Sequence, residues 1–488
     1  MTARALSAQD ALWLTMDRPN NLMVIDGVLM LRGVPDWDTL LGVTRKRVLE
    51  RFPVFTCRPI AQGRDWAWEP DPDFDIARHV QRATLPAPGG IAQLEEYVAS
   101  RRSRPMDRAH PLWDVTLVDG LTLADGTAGS ALVSRFHHAV ADGVRLTMVM
   151  LSLCDEDDAQ ISARVAREST PVGPAAVIGG LLSATTAVVA DSARLAGAVA
   201  AEIVRDGSRA LERGAALGSD LVRHPDRLAD ALDLAGVETR LTNDISTVAK
   251  LLLRGPSVET VWSGTPGTNK AIVWSPPVPL DAIKAAGRAH GATVNDVLIT
   301  AVGGGLRRYL EAHGDRGVDE VAWMVPVNLV PLDDNLPEDL GNFFALVMIV
   351  LPLTPADPIE RLAATRRRMN HIKHSDEPVL TFGIQRGISA APDPVAVGLT
   401  DFFANKTVGV LTNVPGPRTP ITFAGVEVDQ VIGFAPCSGD QPMTATIFSY
   451  ADTVTVGFAV DAVLVPEPRE LLEATLAELD ALVGMPRG

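Results

Sequence analysis

The sequence predicts two mixed α/β (α+β) domains joined by a helical linker. Three observations carry that prediction. Toward each end of the chain, short apolar stretches of strand character alternate with stretches of helical period. In the middle the alternation stops: an acidic run over 155–158 is followed by an uncharged stretch over 171–190. The length, 488 residues, is also too great for one core when a domain holds roughly 150. The expected boundaries are 1–155, 156–254 and 255–488.

In order along the first domain, 23–31 reads as a strand and 37–52 as a helix, with Leu40, Leu41, Val43, Val48 and Leu49 as apolar positions. Two further strands, 113–118 and 130–136, are separated by the turn signals Asp119-Gly120 and Asp125-Gly126. In the linker, Val177, Ile178, Leu181, Leu182, Val188, Val189, Leu195, Val199 and Ile203 fall within an arc of roughly 140° at helical spacing. Asp191, Arg194, Glu202 and Arg205 lie opposite. That amphipathic helix can pack on a domain or lie against a lipid surface. Pro171, Pro174, Gly179 and Gly180 dilute it too far for a membrane span, which needs ~20 mostly apolar residues. In the second domain, 271–274, 322–326, 344–351 and 454–460 read as strands, and 280–290 and 293–313 as helices.

Composition excludes several classes. Sixty acidic against 44 basic side chains leave a net charge of −16, which opposes nucleic-acid binding through neutralised phosphates. A hydrophobic content of 47% is too high for disorder. Cys57, Cys154 and Cys437 lie far apart in an odd count, which predicts a reducing, cytoplasmic setting. Residues 1–10 lack the charged and apolar regions of a signal peptide.

The sharpest local feature is 136–143, Phe-His-His-Ala-Val-Ala-Asp-Gly. Strand alternation puts Ser134, Phe136 and His138 on one face and Arg135 and His137 on the other. Gly143 permits a tight backbone approach, and 144–153 reads as the next helix. His138 thus sits where a strand hands over to a loop, a rigid place from which to present an imidazole. A pair of satisfied structural histidines fits the spacing equally well. A metal site does not, because His138 and Asp142 supply only two ligands and no His-Glu-x-x-His set completes a shell.

His-His-x-x-x-Asp-Gly at 137–143 resembles the signature of the CoA-dependent acyltransferases that include chloramphenicol acetyltransferases and condensation domains of peptide synthetases. Further stretches are similar to one branch, the bacterial wax ester synthase/acyl-CoA:diacylglycerol acyltransferases. They are Leu-Ser-Ala-Gln-Asp at 6–10, Pro-Leu-Trp at 111–113, Gly-Ala-Thr-Val-Asn-Asp-Val at 291–297, Val-Pro-Val-Asn at 325–328, Leu-Gly-Asn at 340–342 and Thr-Asn-Val-Pro-Gly-Pro at 412–417, in the family's order. The resemblance implies a monomer of two chloramphenicol-acetyltransferase-like domains with a tunnel between them. It implies His138 as general base, acyl-CoA as a substrate and no cofactor. Asp142 would orient the motif by pairing with a buried arginine, and His137 would be support. The family often has a basic residue soon after Val-Pro-Val, whereas this chain reads Asn328-Leu-Val-Pro331, so Arg135 is a candidate partner for Asp142.

Other residues carry narrower expectations. Thr293-Val-Asn-Asp296 fits a capping box, making Asp296 a cap and Asn295 a candidate for polarising substrate. Gly303-Gly-Gly305 falls inside a helix and suits close packing. Pro415 and Gly416 suit the centre of a type II turn, and Trp113 suits core. Arg366, Arg367 and Arg368, with Arg361, His371 and Lys373 nearby, could hold CoA phosphates or form a solvated face.

The expected activity is transfer of a fatty acyl group from acyl-CoA to diacylglycerol or a long-chain alcohol. A condensation-type enzyme using carrier-protein thioesters and a catalytically silent lipid-binding paralogue are the alternatives. Sparingly soluble substrates, the 177–203 stripe and a mean hydropathy of +0.14 predict peripheral attachment to the inner face of the plasma membrane or to lipid droplets.

Overall fold

A computed structural model of the protein describes residues 3–63, 65–155, 258–328, 336–373 and 393–484, with positions 381, 385, 388, 389 and 391. The amphipathic stretch expected over 177–203 lies outside the described residues. In the first part of the chain the strands are β1 (Arg4–Ala5), β2 (Val24–Leu31), β3 (Cys57–Gln62), β4 (Asp65–Pro70), β5 (Val80–Thr84), β6 (Trp113–Thr122) and β7 (Ala128–His137). Its helices are α1 (Ala8–Met16), α2 (Trp37–Thr44), α3 (Ile76–His79), α4 (Ile91–Arg102) and α5 (Gly143–Ser152). Further along come β8 (Lys270–Trp274), β9 (Val278–Pro279), β10 (Glu320–Asn328), β11 (Phe344–Pro352), β12 (Gly409–Pro415), β13 (Thr422–Phe423), β14 (Val426–Phe434), β15 (Met443–Tyr450) and β16 (Thr453–Asp461). The helices there are α6 (Leu280–Ala289), α7 (Val294–Ala312), α8 (Pro358–Lys373), α9 (Asp393–Ala404) and α10 (Pro468–Val483).

Two large sheets organise these elements. The first runs β13-β14-β2-β7-β6-β5, and the second β11-β10-β12-β15-β16-β8 with β9 also on β16. A small sheet has the order β1-β4-β3. In the first sheet β2 and β7 are central and antiparallel, from Val24 opposite His137 to Leu31 opposite Ser130. Both faces of β7 are covered from Gly129 onward, which is why its sequence is largely apolar instead of alternating. The second sheet packs its apolar face on α7 and α10 through Val297, Val302, Leu306, Leu471 and Leu479.

The expected division at residue 255 is crossed in space. β13 and β14 come from the C-terminal part of the chain yet complete the first sheet, with Ile432 opposite Val28 and Gly433 opposite Gly27. Gln430 of β14 reaches back to the second half, its Nε2 donating to the Ser275 carbonyl at 3.0 Å and to Thr455 Oγ1 at 2.6 Å. The first sheet is therefore fastened to the second half by a side chain of β14.

Other expectations meet a mixed outcome. The helix expected over 37–52 starts as α2 and then widens into a π turn, Arg45–Leu49, before Pro53 opens a tight 3-10 turn. Gly304 and Gly305 do permit close packing of α7 on α10. A Cβ on Gly305 would overlap Thr475 Oγ1 and stand 2.7 Å from Thr475 Cα. Glu478, which a Cβ on Gly304 would overlap, pairs with Arg361 of α8 in the core. Arg361 is thus a fully buried structural cation, not part of a phosphate surface. The type II turn is a correction. Pro415 is still strand, and Gly416 is not in the left-handed region. Glycine is needed there because a Cβ would overlap the Ser449 carbonyl and lie 2.7 Å from Phe448 Cε1.

Candidate active site

The two sheets and α5 line a cleft open to solvent. Ile25, Gly27 and Leu29 of β2, Ser134 and Phe136 of β7, and Val431 to Phe434 of β14 form one wall. The N-terminal face of α5 forms a second. Pro326 and Asn328 of β10, Phe344 and Leu346 of β11, and Val410, Thr412 and Asn413 of β12 form the third. Most of the lining is apolar, so any charge formed inside is poorly solvated.

His138 enters this cleft one residue beyond β7, on the face that alternation gives to Ser134 and Phe136. Its N–H donates to the Met23 carbonyl at 2.7 Å, extending the ladder with β2. Its own carbonyl accepts from Asn342 Nδ2 at 2.8 Å. The ring stacks on Trp13 with centroids 4.0 Å apart and planes 16° from parallel, and Phe344 lies 5.5 Å away. Nδ1 is sealed from solvent on the side of its own backbone, so the nitrogen that can meet a substrate is Nε2. Burial pushes the imidazole pKa down to about 4, against the upward pull of its own backbone carbonyl and the Asp142 charge. At neutral pH it is an uncharged base.

Asp142 holds the motif together. It is the N-cap of α5, its Oδ1 accepting from the Arg145 N–H at 2.9 Å. Its Oδ2 accepts from Arg145 Nη1 at 2.5 Å and from the Phe343 N–H at 3.2 Å. The buried arginine is therefore Arg145, not Arg135. Arg135 is taken up on the other sheet face by Asp114 at 3.1 Å and the Arg104 carbonyl at 2.5 Å. His137 also faces away from the cleft. Its Nδ1 accepts from the Ala139 N–H at 3.1 Å, and Nε2 faces Asp17 at 3.7 Å. Burial lowers its pKa, against Asp17's pull.

Comparison with known proteins decides the assignment. A family model described as the wax ester synthase/diacylglycerol acyltransferase catalytic domain matches residues 6–298, and the family's C-terminal domain matches 340–483. The chain belongs to the wax ester synthase/diacylglycerol acyltransferase family. It is an acyltransferase. A Mycobacterium tuberculosis protein named "probable diacylglycerol O-acyltransferase tgs1" is 27% identical over 94% of this chain and 92% of its own length. The O-acyltransferase WSD of Acinetobacter baylyi is 22% identical over 99% and 97%. The solved wax ester synthase/diacylglycerol acyltransferase of Marinobacter aquaeolei VT8 shares the fold with a TM-score of 0.64, at 19% identity over 99% of this chain and all of that one. The first condensation domain of the calcium-dependent antibiotic synthetase shares it more distantly, with a TM-score of 0.53 and 15% identity over 99% and 96%.

Within this wax ester synthase/diacylglycerol acyltransferase fold, the remaining expected site residues separate. Gly143 lines the cleft, but a Cβ there would meet only Ile25 Cδ1, at 3.9 Å. Its missing side chain leaves room in the cleft and relieves no tight approach. Asp296 closes a capping box on α7, its Oδ2 accepting from the Thr293 N–H and hydroxyl at 2.8 Å each. Asn295 does not line the cleft; its Oδ1 accepts from Asn413, which does, at 2.8 Å. Asp296→Ala is expected to cost about 1 kcal/mol of stability through the lost cap. Asn295→Ala, losing one exposed bond, should melt like the parent in calorimetry. Arg366, Arg367 and Arg368 do not line the cleft either. Arg368 pairs with Glu320 at 2.9 Å, and Arg366 reaches the His290 carbonyl at 3.4 Å. Trp113 is core, its indole N–H donating to the Phe55 carbonyl at 2.8 Å.

Sequence reasoning placed 6–10 and 340–342 in the family resemblance but gave them no role behind His138. Asn342 Nδ2 donates both to the His138 carbonyl and to Asp10 Oδ1, the latter at 2.7 Å. Asp10 is set by the Ser7 cap of α1, where the Ser7 hydroxyl donates to Asp10 Oδ2 at 2.7 Å and accepts from its N–H at 3.0 Å. Burial raises the Asp10 pKa despite the Asn342 and Ser7 hydrogen bonds. The available signal was Ser-x-x-Asp at 7–10, a capping pattern. Among the described residues, no three His, Cys, Asp or Glu side chains stand together as a metal site. No helix among them is long and apolar enough to cross a membrane.

Proposed function

We propose that the protein transfers a fatty acyl group from acyl-CoA to diacylglycerol or a long-chain alcohol, with His138 as general base. The observation that carries the reading is an uncharged imidazole, fixed on both backbone sides, in the wall of a largely apolar cleft. The names of the mycobacterial and Marinobacter relatives support the choice of acceptors.

In this reading His138 Nε2 takes the proton of the acceptor hydroxyl as its oxygen attacks the thioester carbon. The carbonyl π electrons move onto oxygen. When the tetrahedral intermediate collapses, the C–S bond breaks and the imidazolium returns its proton to the CoA thiolate. A base with so low a pKa is a strong acid once protonated, which favours the second half of that exchange. The first turn of α5 supports the oxyanion. Among the described residues, the Gly143 and Val144 N–H groups donate to no protein acceptor, and a helix N-terminus favours negative charge. Acyl-CoA is the donor substrate and no cofactor is called for.

The test is thiol release from palmitoyl-CoA with dipalmitoylglycerol, with hexadecanol and with neither. Acceptor-dependent release is expected; absent or acceptor-independent release overturns the reading. We further take the enzyme to work as a monomer at the inner membrane face or on lipid droplets, since both substrates are sparingly soluble. The amphipathic stripe over 177–203 supports this. Leu181→Asp with Val188→Asp should move the protein from floated liposomes to the soluble fraction, with circular dichroism unchanged. Undiminished flotation counts against surface attachment.

A further inference from the structure

We propose that the slot between α5 and the first sheet receives the alkyl chain of the acyl donor, and that Thr147 and Met150 set the chain length it accepts. The proposal rests on acyl transfer from CoA as read above. Gly143, Thr147 and Met150 follow one another at helical spacing on the face of α5 that lines the cleft. From Gly143 to Met150 the helix rises roughly 10 Å. The side chains grow along that line, from none at Gly143, where a Cβ would meet almost nothing, to a buried methionine. On the α5 side the slot is therefore roomier at Gly143 than at Met150.

On the facing wall, Ile25 and Phe136 stand nearest His138, and the wall drops at the next rung. Gly433, Gly27 and Ser134 lie side by side across β14, β2 and β7, a row with almost no side-chain height. One pleat further from His138, Val431 stands opposite Leu29 and raises the wall toward Met150. Leu29 in turn is opposite Leu132, six residues before His138 and roughly 20 Å along the strand. Beyond the low row, the slot is thus closed by branched and thioether side chains.

Its chemistry suits a saturated alkyl tail better than diacylglycerol. The Ser134 hydroxyl donates to the Gly27 carbonyl at 3.2 Å, and the Thr147 hydroxyl to the Gly143 carbonyl at 2.8 Å. Both wall hydroxyls are turned to backbone and offer no donor to a ligand. A saturated acyl tail asks for none. Diacylglycerol carries ester carbonyls, which fit the opposite side of the cleft, where Asn328 and Asn413 lie.

Two variants with opposite expected effects test this. Met150→Ala deepens the slot and should raise the ratio of kcat/KM for stearoyl-CoA over myristoyl-CoA by about tenfold, within the range that methylene discrimination allows. Thr147→Leu fills the second turn and should lower that ratio by a similar factor. With palmitoyl-CoA fixed, the profile against alcohol length should stay put in both. Unchanged acyl profiles in two folded variants, or a shift confined to the alcohol profile, would overturn the proposal. If the parent releases no thiol from any acyl-CoA, the functional reading fails. The slot is then judged by thermal shift with the same acyl-CoAs: the most stabilising chain should lengthen in Met150→Ala, and no change refutes it.

Discussion

His138→Ala should lower turnover with palmitoyl-CoA by a factor on the order of 10²–10⁴, the usual loss when a general base is removed. Its melting temperature should hardly change, for reasons that can be weighed. Losing the stack on Trp13 costs ~0.5–1.5 kcal/mol. Against that, the imidazole is deeply buried, and removing it also removes its desolvation cost. The space left behind opens into an existing cleft instead of a closed void. Fully retained activity in the variant would end the mechanism.

The same imidazole predicts an acid profile. With its pKa near 4, kcat/KM should stay level from neutrality down to about pH 5, where an ordinary histidine would already be protonated below ~6.5. Stability should move in the same window. Between roughly 6.5 and 4 the unfolded chain binds a proton at this position that the folded chain refuses, so stability falls as pH falls. His138→Gln should make that decline shallower but not abolish it, because burial also lowers the pKa of His137 and His79.

Much of this site was legible before the fold was seen, and the parts that were not share a cause. Alternation along 130–138 put Ser134, Phe136 and His138 on one face, because a strand has a fixed period whatever it packs against. The cap at Asp296 was equally local, a bond between residues three apart. Partnership across long separations leaves no such trace. Nothing in 426–434 says that β14 crosses to β2, since any apolar strand of that length could join either sheet. Asn342 bonds the His138 carbonyl from 204 positions away, and its own neighbours give no sign of it. Arg145 is the instructive miss. It stands three residues from Asp142 at capping distance, whereas the missing basic residue after Val-Pro-Val points to Arg135, whose guanidinium lies on the other side of the sheet.

Asp142→Ala should lose stability and activity together. The Asp142 and Arg145 side chains are 7% and 6% exposed, so deleting the carboxylate strands a guanidinium where water cannot reach it. Breaking a buried pair in this way costs about 3–5 kcal/mol, and the lost cap of α5 accounts for ~1 kcal/mol of that. The remaining neighbours cannot compensate. The Phe343 ring, 4.5 Å from the guanidinium, offers a cation–π contact worth ~0.5–2 kcal/mol that is already present in the parent. Asp142→Ala combined with Arg145→Met removes both charges and should recover most of the lost melting temperature, since a paired charge is often replaced by apolar packing at little cost. Turnover in the double variant should nevertheless stay low. Asp142 Oδ2 also accepts from the Phe343 N–H, next to the Asn342 that holds the His138 carbonyl. Calorimetry and acyl-CoA turnover on the two variants separate charge from tether. If the double variant regained stability and full turnover together, the tether would have no part in placing His138; if Asp142→Ala melted like the parent, the buried pair would not be holding the motif at all.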